Sequence, residues 1–265
     1  MSNILEDIIA WKAAEVEIAK QNTAVDQLLT GDYFKRTCFS LKTRLLEAKS
    51  SGIIAEFKRR SPSKGMINET AMPEEVAVGY RNSGVSGMSV LTDSKFFGGS
   101  FLDFKKVRAT ADLPLLRKDF IIDEYQVYET KSIGADVMLL IAANLEVKQC
   151  HQLAAIAKQL GLEVLLELHE ERELDHISED IDIVGINNRN LKTFTVDLEH
   201  SIQLAKKIPD NFVKISESGI GNPLDIVMLK QQGFKGFLIG ENFMKTNDPG
   251  AMCKEFIDQI KAGEN

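Results

Sequence analysis

The sequence predicts an α/β fold, a single (β/α)8 TIM barrel with an N-terminal helical extension. Three observations carry this reading. Short apolar runs recur at 52–57, 88–91, 113–116, 137–141, 163–168, 183–186, 212–215 and 236–239. Most are continuous rather than alternating, as in strands covered on both faces of a parallel sheet. Helix-like segments separate them at intervals of roughly 20 to 35 residues, the size of a βα unit. The chain of 265 residues also suits a barrel of about 250 residues, although division by about 150 residues per domain would give two domains.

The intervening segments justify themselves in turn. Residues 145–160 place Val147, Leu153, Ala154, Ile156, Ala157 and Leu160 on one helical stripe, and Gly161 ends it. Residues 223–232 begin with Asn222 as N-cap and Pro223 in the first turn, and Gly233 closes them. Helices over 74–82, 101–111, 124–133, 170–177, 198–207 and 250–260 fill the other gaps. Residues 1–50 form an extension with helical patterns near 4–20 and 39–48, within one domain spanning 1–265. A doubly wound sheet would want a glycine-rich fingerprint after its first strand. Here that position reads Lys58-Arg59-Arg60-Ser61-Pro62-Ser63-Lys64-Gly65.

A formal net charge of −7 argues against a nucleic-acid or acidic-membrane partner. It would also repel an anionic substrate unless the site gathers its own positive charge. Cys38, Cys150 and Cys253 are odd in number and widely spaced, so neither a disulfide framework nor a zinc cluster is expected. The N-terminal Met-Ser-Asn-Ile-Leu-Glu-Asp lacks the pattern of a signal peptide. No stretch approaches the roughly 18 apolar residues of a membrane span. A cytoplasmic setting is the expectation, and the glycosylation sequon Asn68-Glu69-Thr70 is read as chance.

Barrel chemistry sits at the C-terminal strand ends. The first strand ends Glu56-Phe57-Lys58, with the two charges on the same side of a strand. The third ends Arg117-Lys118-Asp119, where alternation lets only one of Arg117 and Lys118 aim inward. The fifth carries the isolated Glu167, with Glu163 at its far, structural end. The sixth ends Asn187-Asn188-Arg189, the seventh Ser216-Glu217-Ser218-Gly219 and the eighth Gly240-Glu241. Loops after strands seven and eight frequently hold phosphate in such barrels. Ser218, Gly219, Gly240 and Glu241 suit that task through close backbone approach. Lys58, Ser61 and Lys64 can complete the cradle, while Arg59 and Arg60 read as solvated. Phe97 and Phe120 follow strand ends and suit an aromatic substrate. The four histidines show no metal spacing, and His169 reads as a plain loop residue. The residues therefore point to a barrel enzyme acting on a phosphorylated small molecule, by acid–base chemistry or a Schiff base.

At these residues the chain resembles the indole-3-glycerol phosphate synthase family. The resemblance lies in Ile53-Ile54-Ala55-Glu56-Phe57-Lys58-Arg59-Arg60-Ser61-Pro62-Ser63, Leu116-Arg117-Lys118-Asp119-Phe120-Ile121, Gly185-Ile186-Asn187-Asn188-Arg189-Asn190-Leu191 and Ser216-Glu217-Ser218-Gly219-Ile220. It runs over essentially the whole chain. It implies closure, decarboxylation and dehydration of 1-(2-carboxyphenylamino)-1-deoxyribulose 5-phosphate to indole-3-glycerol phosphate, with no metal or organic cofactor. It further implies Lys118 as general acid, Glu167 as base, and Lys58 as holder of the substrate carboxylate and aid to proton transfer. Glu56 would position Lys118, and Asn187 and Arg189 would contact substrate and hold the carboxylates. Glu217 would bond a hydroxyl, and Phe97, Phe120 and Leu139 would line the anthranilate pocket. Phosphate would fall to Ser61, Ser218, Gly219, Gly240 and Glu241. The expected partner is that small molecule alone, with the protein a monomer or weak homo-oligomer.

Three rivals are weighed beside it. An aldolase-like enzyme would use Lys118 as a Schiff-base nucleophile. A phosphoribosylanthranilate isomerase would want a Cys/Asp pair, and no cysteine falls at a strand end. A non-catalytic phosphate sensor would not need two lysines and two carboxylates at separate strand ends.

Overall fold

The computed structural model describes residues 4–190 and 195–264, so Met1–Asn3 and Leu191 of the quoted segments lie outside the described residues. Eight parallel strands close into a barrel: β1 (Ile53–Phe57), β2 (Gly87–Leu91), β3 (Leu115–Lys118), β4 (Val137–Ile141), β5 (Glu163–Leu168), β6 (Ile183–Asn187), β7 (Val213–Glu217) and β8 (Gly236–Ile239). Strand β1 closes the ring on β8 through Ile53–Phe237, Ile54–Leu238 and Ala55–Ile239.

Three strands run past the C-terminal ends of their apolar runs. β3 was expected over 113–116 but runs to Lys118, β6 reaches Asn187, and β7 runs to Glu217. In each, the polar residues that follow the apolar run continue the ladder, because their backbone still pairs; Leu91 meets Lys118 and Asn187 meets Glu217. The expected helix at 170–177 is a 3-10 helix, Glu171–His176.

Period-two alternation sorts the strand residues into two apolar layers. Ile54, Leu116, Val137, Leu139, Ile141, Leu165, Ile183, Val213, Ile215 and Leu238 pack together as the barrel interior. Ile53, Ala55, Phe57, Leu115, Val164, Leu166 and Ile186 belong to the larger core beneath the helices. Counting up by two from the interior residues reaches Glu56, Lys118, Glu167, Asn187 and Glu217. The strand pattern alone thus carries a polar layer to the top of an apolar interior.

The extension contains α1 (Ile4–Asn22), α2 (Val25–Leu29) and α3 (Leu41–Leu46). Leu41 and Leu45 of α3 seal the lower end of the interior. Glu163, at the start of β5, accepts the backbone N–H of Leu41 at 2.8 Å and of Lys42 at 3.0 Å, and the Ser40 hydroxyl at 2.5 Å. Its burial raises its pKa, against the opposing pull of those donors. The remaining helices are α4 (Pro73–Ser83), α5 (Phe101–Thr110), α6 (Glu124–Ser132), α7 (Val147–Gln159), α8 (Leu198–Ala205), α9 (Pro223–Gln231), α10 (Glu241–Met244) and α11 (Pro249–Gly263). No helix of the described residues is long and apolar enough to cross a membrane. The sequon residue Asn68 spends its side-chain amide on the carbonyls of Met244 (2.9 Å) and Thr246 (3.2 Å).

Helices α4 and α11 approach most closely at Gly79 and Gly250. A Cβ on Gly79 would stand 2.9 Å from the Gly250 Cα, and a neighbouring bond from Ser83 to the Gly250 carbonyl (2.9 Å) fixes the spacing. Overpacking of this kind costs roughly 1–3 kcal/mol. Gly79→Ala is therefore expected to lower unfolding stability by that amount in a urea titration. A variant as stable as wild type would show that the two helices separate freely.

Candidate active site

The polar layer opens into a cavity of about 540 Å³ at the C-terminal end of the barrel. That volume suits one small ligand. Glu56, Lys58, Ser61, Phe97, Lys118, Phe120, Leu139, Glu167, Asn187, Arg189, Glu217, Ser218, Gly219, Gly240 and Glu241 all line it. Every residue to which the resemblance gives a site role therefore lines one cavity.

Two ion pairs organise the floor. Lys118 Nζ lies 2.7 Å from Glu167 Oε2 and 3.7 Å from Glu217 Oε2. Lys58 Nζ lies 2.6 Å from Glu56 Oε1. The direct partner of Glu56 is thus Lys58, while its charge reaches Lys118 only through space. Asn187 Nδ2 donates to Glu167 Oε1 at 2.9 Å, and Asn187 Oδ1 accepts the Arg189 backbone N–H at 3.0 Å. Arg117, which alternation sends outward, is buried under α6. There it meets Asp119 (2.9 Å), Glu129 (2.8 Å) and Thr130 (3.0 Å).

The electrostatics follow from burial and proximity. Burial alone would lower the pKa of Lys118, but Glu167, Glu217 and Glu56 override it and hold the lysine well above its ordinary value. Burial would raise Glu167, yet Lys118 and His169 draw it below the usual carboxylate range. Glu217 moves the other way: burial first, then the charge of Glu167, push it up. Its Oε1 has no hydrogen-bond partner among the described residues. Of the two carboxylates facing Lys118, one is drawn below the usual carboxylate range and the other pushed above it, so their environments set them apart.

Glycines make room for these carboxylates. A Cβ on Gly185 would stand 2.1 Å from Glu217 Oε1, and one on Gly240 would stand 2.5 Å from Glu56 Oε1. After β7 the chain turns through Ser218 (φ 70°) and Gly219 (φ 72°). Ser218 occupies a region that costs most side chains free energy. The buried Asn188 supports it, donating to the Ser218 carbonyl at 2.7 Å and to Ser216 Oγ at 3.0 Å. The turn, with Gly240 and Glu241 beside it, faces Ser61 and Lys64 across the cavity, and Lys64 approaches Glu241 at 3.6 Å.

Some side chains depart from their sequence reading. Arg59 is not solvated: it pairs with Asp103 and lies 4.8 Å from the Phe57 ring centroid. Arg60 donates to the carbonyls of Ser94 (3.0 Å) and Lys95. His169 is buried, with Nε2 at 3.3 Å from Glu167 Oε1. Sequence reasoning missed Ile4, Leu5 and Ile8 of α1, and Lys245, all of which line the cavity. For Lys245 a signal existed, since it follows Glu241 by one helical turn. For α1 none did, because its docking is a tertiary fact. Among the described residues no group of three or more His, Cys, Asp or Glu side chains is placed to hold a metal ion.

The profile of the indole-3-glycerol phosphate synthase family matches residues 5–256. The chain belongs to the indole-3-glycerol phosphate synthase family. It is 51% identical over 261 residues to the enzyme of that name from Bacteroides thetaiotaomicron, covering 98% of this chain and 100% of the relative. The namesake from Caldanaerobacter subterraneus subsp. tengcongensis is 44% identical, with the same coverage of both chains. Among solved structures, 3-hexulose-6-phosphate synthase from Salmonella typhimurium superposes with a TM-score of 0.64 at 12% identity, over 81% of this chain and all of the other. A mutant tryptophan synthase alpha-subunit from Pyrococcus furiosus gives 0.61 at 11% identity, over 81% and 99%. At those identities the structural likeness speaks for the barrel alone.

Glu217 gives the site a stability signature. A carboxyl whose folded pKa lies above its unfolded value stabilises the fold most below the ordinary value, and that contribution is lost as pH rises through the shifted one. Wild type is therefore expected to lose stability relative to Glu217→Gln between about pH 4.5 and about pH 8. Chemical denaturation across that range measures it; a constant difference would show that Glu217 is ionised throughout.

Proposed function

We propose that this chain is an indole-3-glycerol phosphate synthase acting on 1-(2-carboxyphenylamino)-1-deoxyribulose 5-phosphate, with carbon dioxide and water as co-products. Within the family's chemistry, one observation carries the assignment of roles. A protonated lysine and an ionised glutamate stand 2.7 Å apart on the floor of the cavity, directly above the apolar barrel interior. Such a pair supplies an acid and a base without external help.

Lys118 donates its proton to the substrate ketone oxygen as the ring carbon attacks. Its charge, preorganised by the buried carboxylates beside it, stabilises the developing alkoxide. Loss of carbon dioxide restores the aromatic ring. Glu167 then removes the ring-nitrogen or carbon proton, while the Lys58 ammonium gives a proton to the departing hydroxide, which leaves as water. The order is built into the pair: Lys118 depresses the basicity of Glu167 while it is charged, and releases it once its proton is given up. Lys58, oriented by Glu56, holds the substrate carboxylate and supports proton transfer. Asn187 and Arg189 orient the carboxylates and contact the substrate, and Glu217 bonds a hydroxyl. Phe97, Phe120 and Leu139 flank the anthranilate ring. Ser61, Ser218, Gly219, Gly240 and Glu241 receive the phosphate, the last three through backbone amides.

A Schiff-base role for Lys118 is disfavoured, because that nucleophile must be neutral and the Glu167 carboxylate at 2.7 Å favours the charged ammonium. The protein is proposed to work in the cytoplasm, as one domain over 1–265 with 1–50 as its helical extension. It would be a monomer or weak homo-oligomer, with no nucleic-acid partner.

Purified protein is expected to produce an indole fluorescence rise from the anthranilate-derived substrate without added metal. Lys118→Ala should lower kcat by about 10²- to 10⁴-fold, the range for a lost proton donor. Near-wild-type turnover would remove Lys118 from the acid role. Lys58→Ala should raise KM far more than alanine at an exposed lysine outside the cavity, such as Lys254. Equal effects would return Lys58 to a surface role.

A further inference from the structure

Helix α1 buries one stripe, Ile8, Lys12 and Val16. These positions recur every four residues, the spacing of a single helical face. The middle one carries an ammonium group, and Lys12 is only 2% exposed. An unpaired charge there would cost several kcal/mol. Three carboxylates pair it: Glu15 at 2.5 Å on the same helix, Asp119 at 2.8 Å and Asp93 at 3.2 Å.

The two distant partners sit just beyond the ends of β3 and β2, and each organises the loop it belongs to. Asp119 follows Lys118 directly in the chain. It accepts the Phe120 backbone N–H at 2.8 Å, Thr92 Oγ1 at 2.6 Å and Arg117 Nη2 at 2.9 Å. Asp93 accepts the backbone N–H groups of Phe96 at 2.7 Å and Phe97 at 3.1 Å. Phe97 and Phe120 both line the cavity, with ring centroids 6.0 Å apart. One ammonium group therefore ties together the bases of both aromatic walls and the residue next to the acid.

We propose that Lys12 is a positioning residue for the reaction, locking the loops after β2 and β3 so that Lys118 and the Phe97–Phe120 wall meet the substrate in register. This rests on the roles given to those residues under the proposed function. A residue that merely anchored α1 would have no such reach. Lys20, near the other end of α1, is an anchor of that plain kind: it meets Asp123, the N-cap of α6, at 2.7 Å, and neither residue lines the cavity.

The two lysines make the test. Wild type, Lys12→Met and Lys20→Met are assayed for indole formation well below their unfolding temperatures, with rates divided by the folded fraction from circular dichroism. Lys12→Met is expected to lose about tenfold or more in kcat, with KM raised about threefold, since small misplacement of a catalytic group is costly. Lys20→Met should stay within about twofold of wild type in both. A Lys12→Met loss no larger than that of Lys20→Met would overturn the proposal, whatever the unfolding temperatures. Should Lys12→Met fail to fold, Asp93→Asn replaces it. That variant keeps an acceptor for Phe96 and Phe97 but removes the charge facing Lys12. It must show a larger kcat loss than Lys20→Met, and an equal one overturns the proposal. An inactive wild type would sink the reading of the reaction and this proposal with it; an active wild type with an unimpaired Lys12→Met sinks the proposal alone.

Discussion

Charge compensation at Lys118 is the constraint on which the rest of the cavity depends. Glu56, Glu167 and Glu217 are all buried at the barrel mouth, where isolated carboxylates would be strongly disfavoured. Lys118 faces two of them directly, and Lys58 takes the third. Burial together with the charge of Glu167 pushes the pKa of Glu217 up, while Lys118 and His169 draw that of Glu167 down. Strand register enforces the arrangement. A slip of one residue in β3 would turn Arg117 inward and Lys118 out. The guanidinium would lose its partners under α6, and the mouth would lose a group able to release a proton. The same register thus separates a structural cation from a chemical one in adjacent residues.

The overall charge of −7 does not oppose an anionic substrate, because the cations are gathered locally. Lys58, Lys64, Lys118, Arg189 and Lys245 all line the cavity. Backbone amides of the turns after β7 and β8 add partial positive charge where a phosphate would lie. Low-dielectric walls such as Leu139, Ile141 and Leu238 concentrate that field. The distribution of charge decides binding here, and its sum decides little.

Much of this was legible in the sequence because the fold is periodic. Eight apolar runs at βα spacing specify the barrel, and alternation from each run specifies which polar residues face inward. What stayed illegible shares one cause: it depends on partners remote in the chain. Arg117 and Lys118 are equivalent to a reader of alternation until β3 is placed against its neighbours. Arg59 reads as solvated until Asp103 of α5 arrives beside it. The apolar runs stop at 116, 186 and 215, short of the strand ends, because the last ladder residues of those strands belong to the polar layer at the mouth. Lys12 is the clearest case, since a lysine in an amphipathic helix reads as surface, and only the packed barrel supplies Asp93 and Asp119. His169 likewise gains meaning from proximity to Glu167 rather than from any spacing.

The coupling between Lys118 and Glu167 bears on the order of events as well as on stability. An acid and a base in contact would ordinarily neutralise each other and leave neither active. Here proton transfer within the pair is opposed by its surroundings. Asn187 donates to Glu167, and Glu56 and Glu217 favour charge on Lys118. The pair therefore waits as ammonium and carboxylate. Arrival of a ketone oxygen changes the balance, because the alkoxide formed by ring closure is a far stronger base than any carboxylate present. In the proposed reaction, once Lys118 has protonated it, Glu167 would face a neutral amine and lose the charge that holds its pKa down. Its basicity rises at the moment a carbon or nitrogen proton must be taken. A single 2.7 Å contact would thus sequence an acid step before a base step in the proposed reaction.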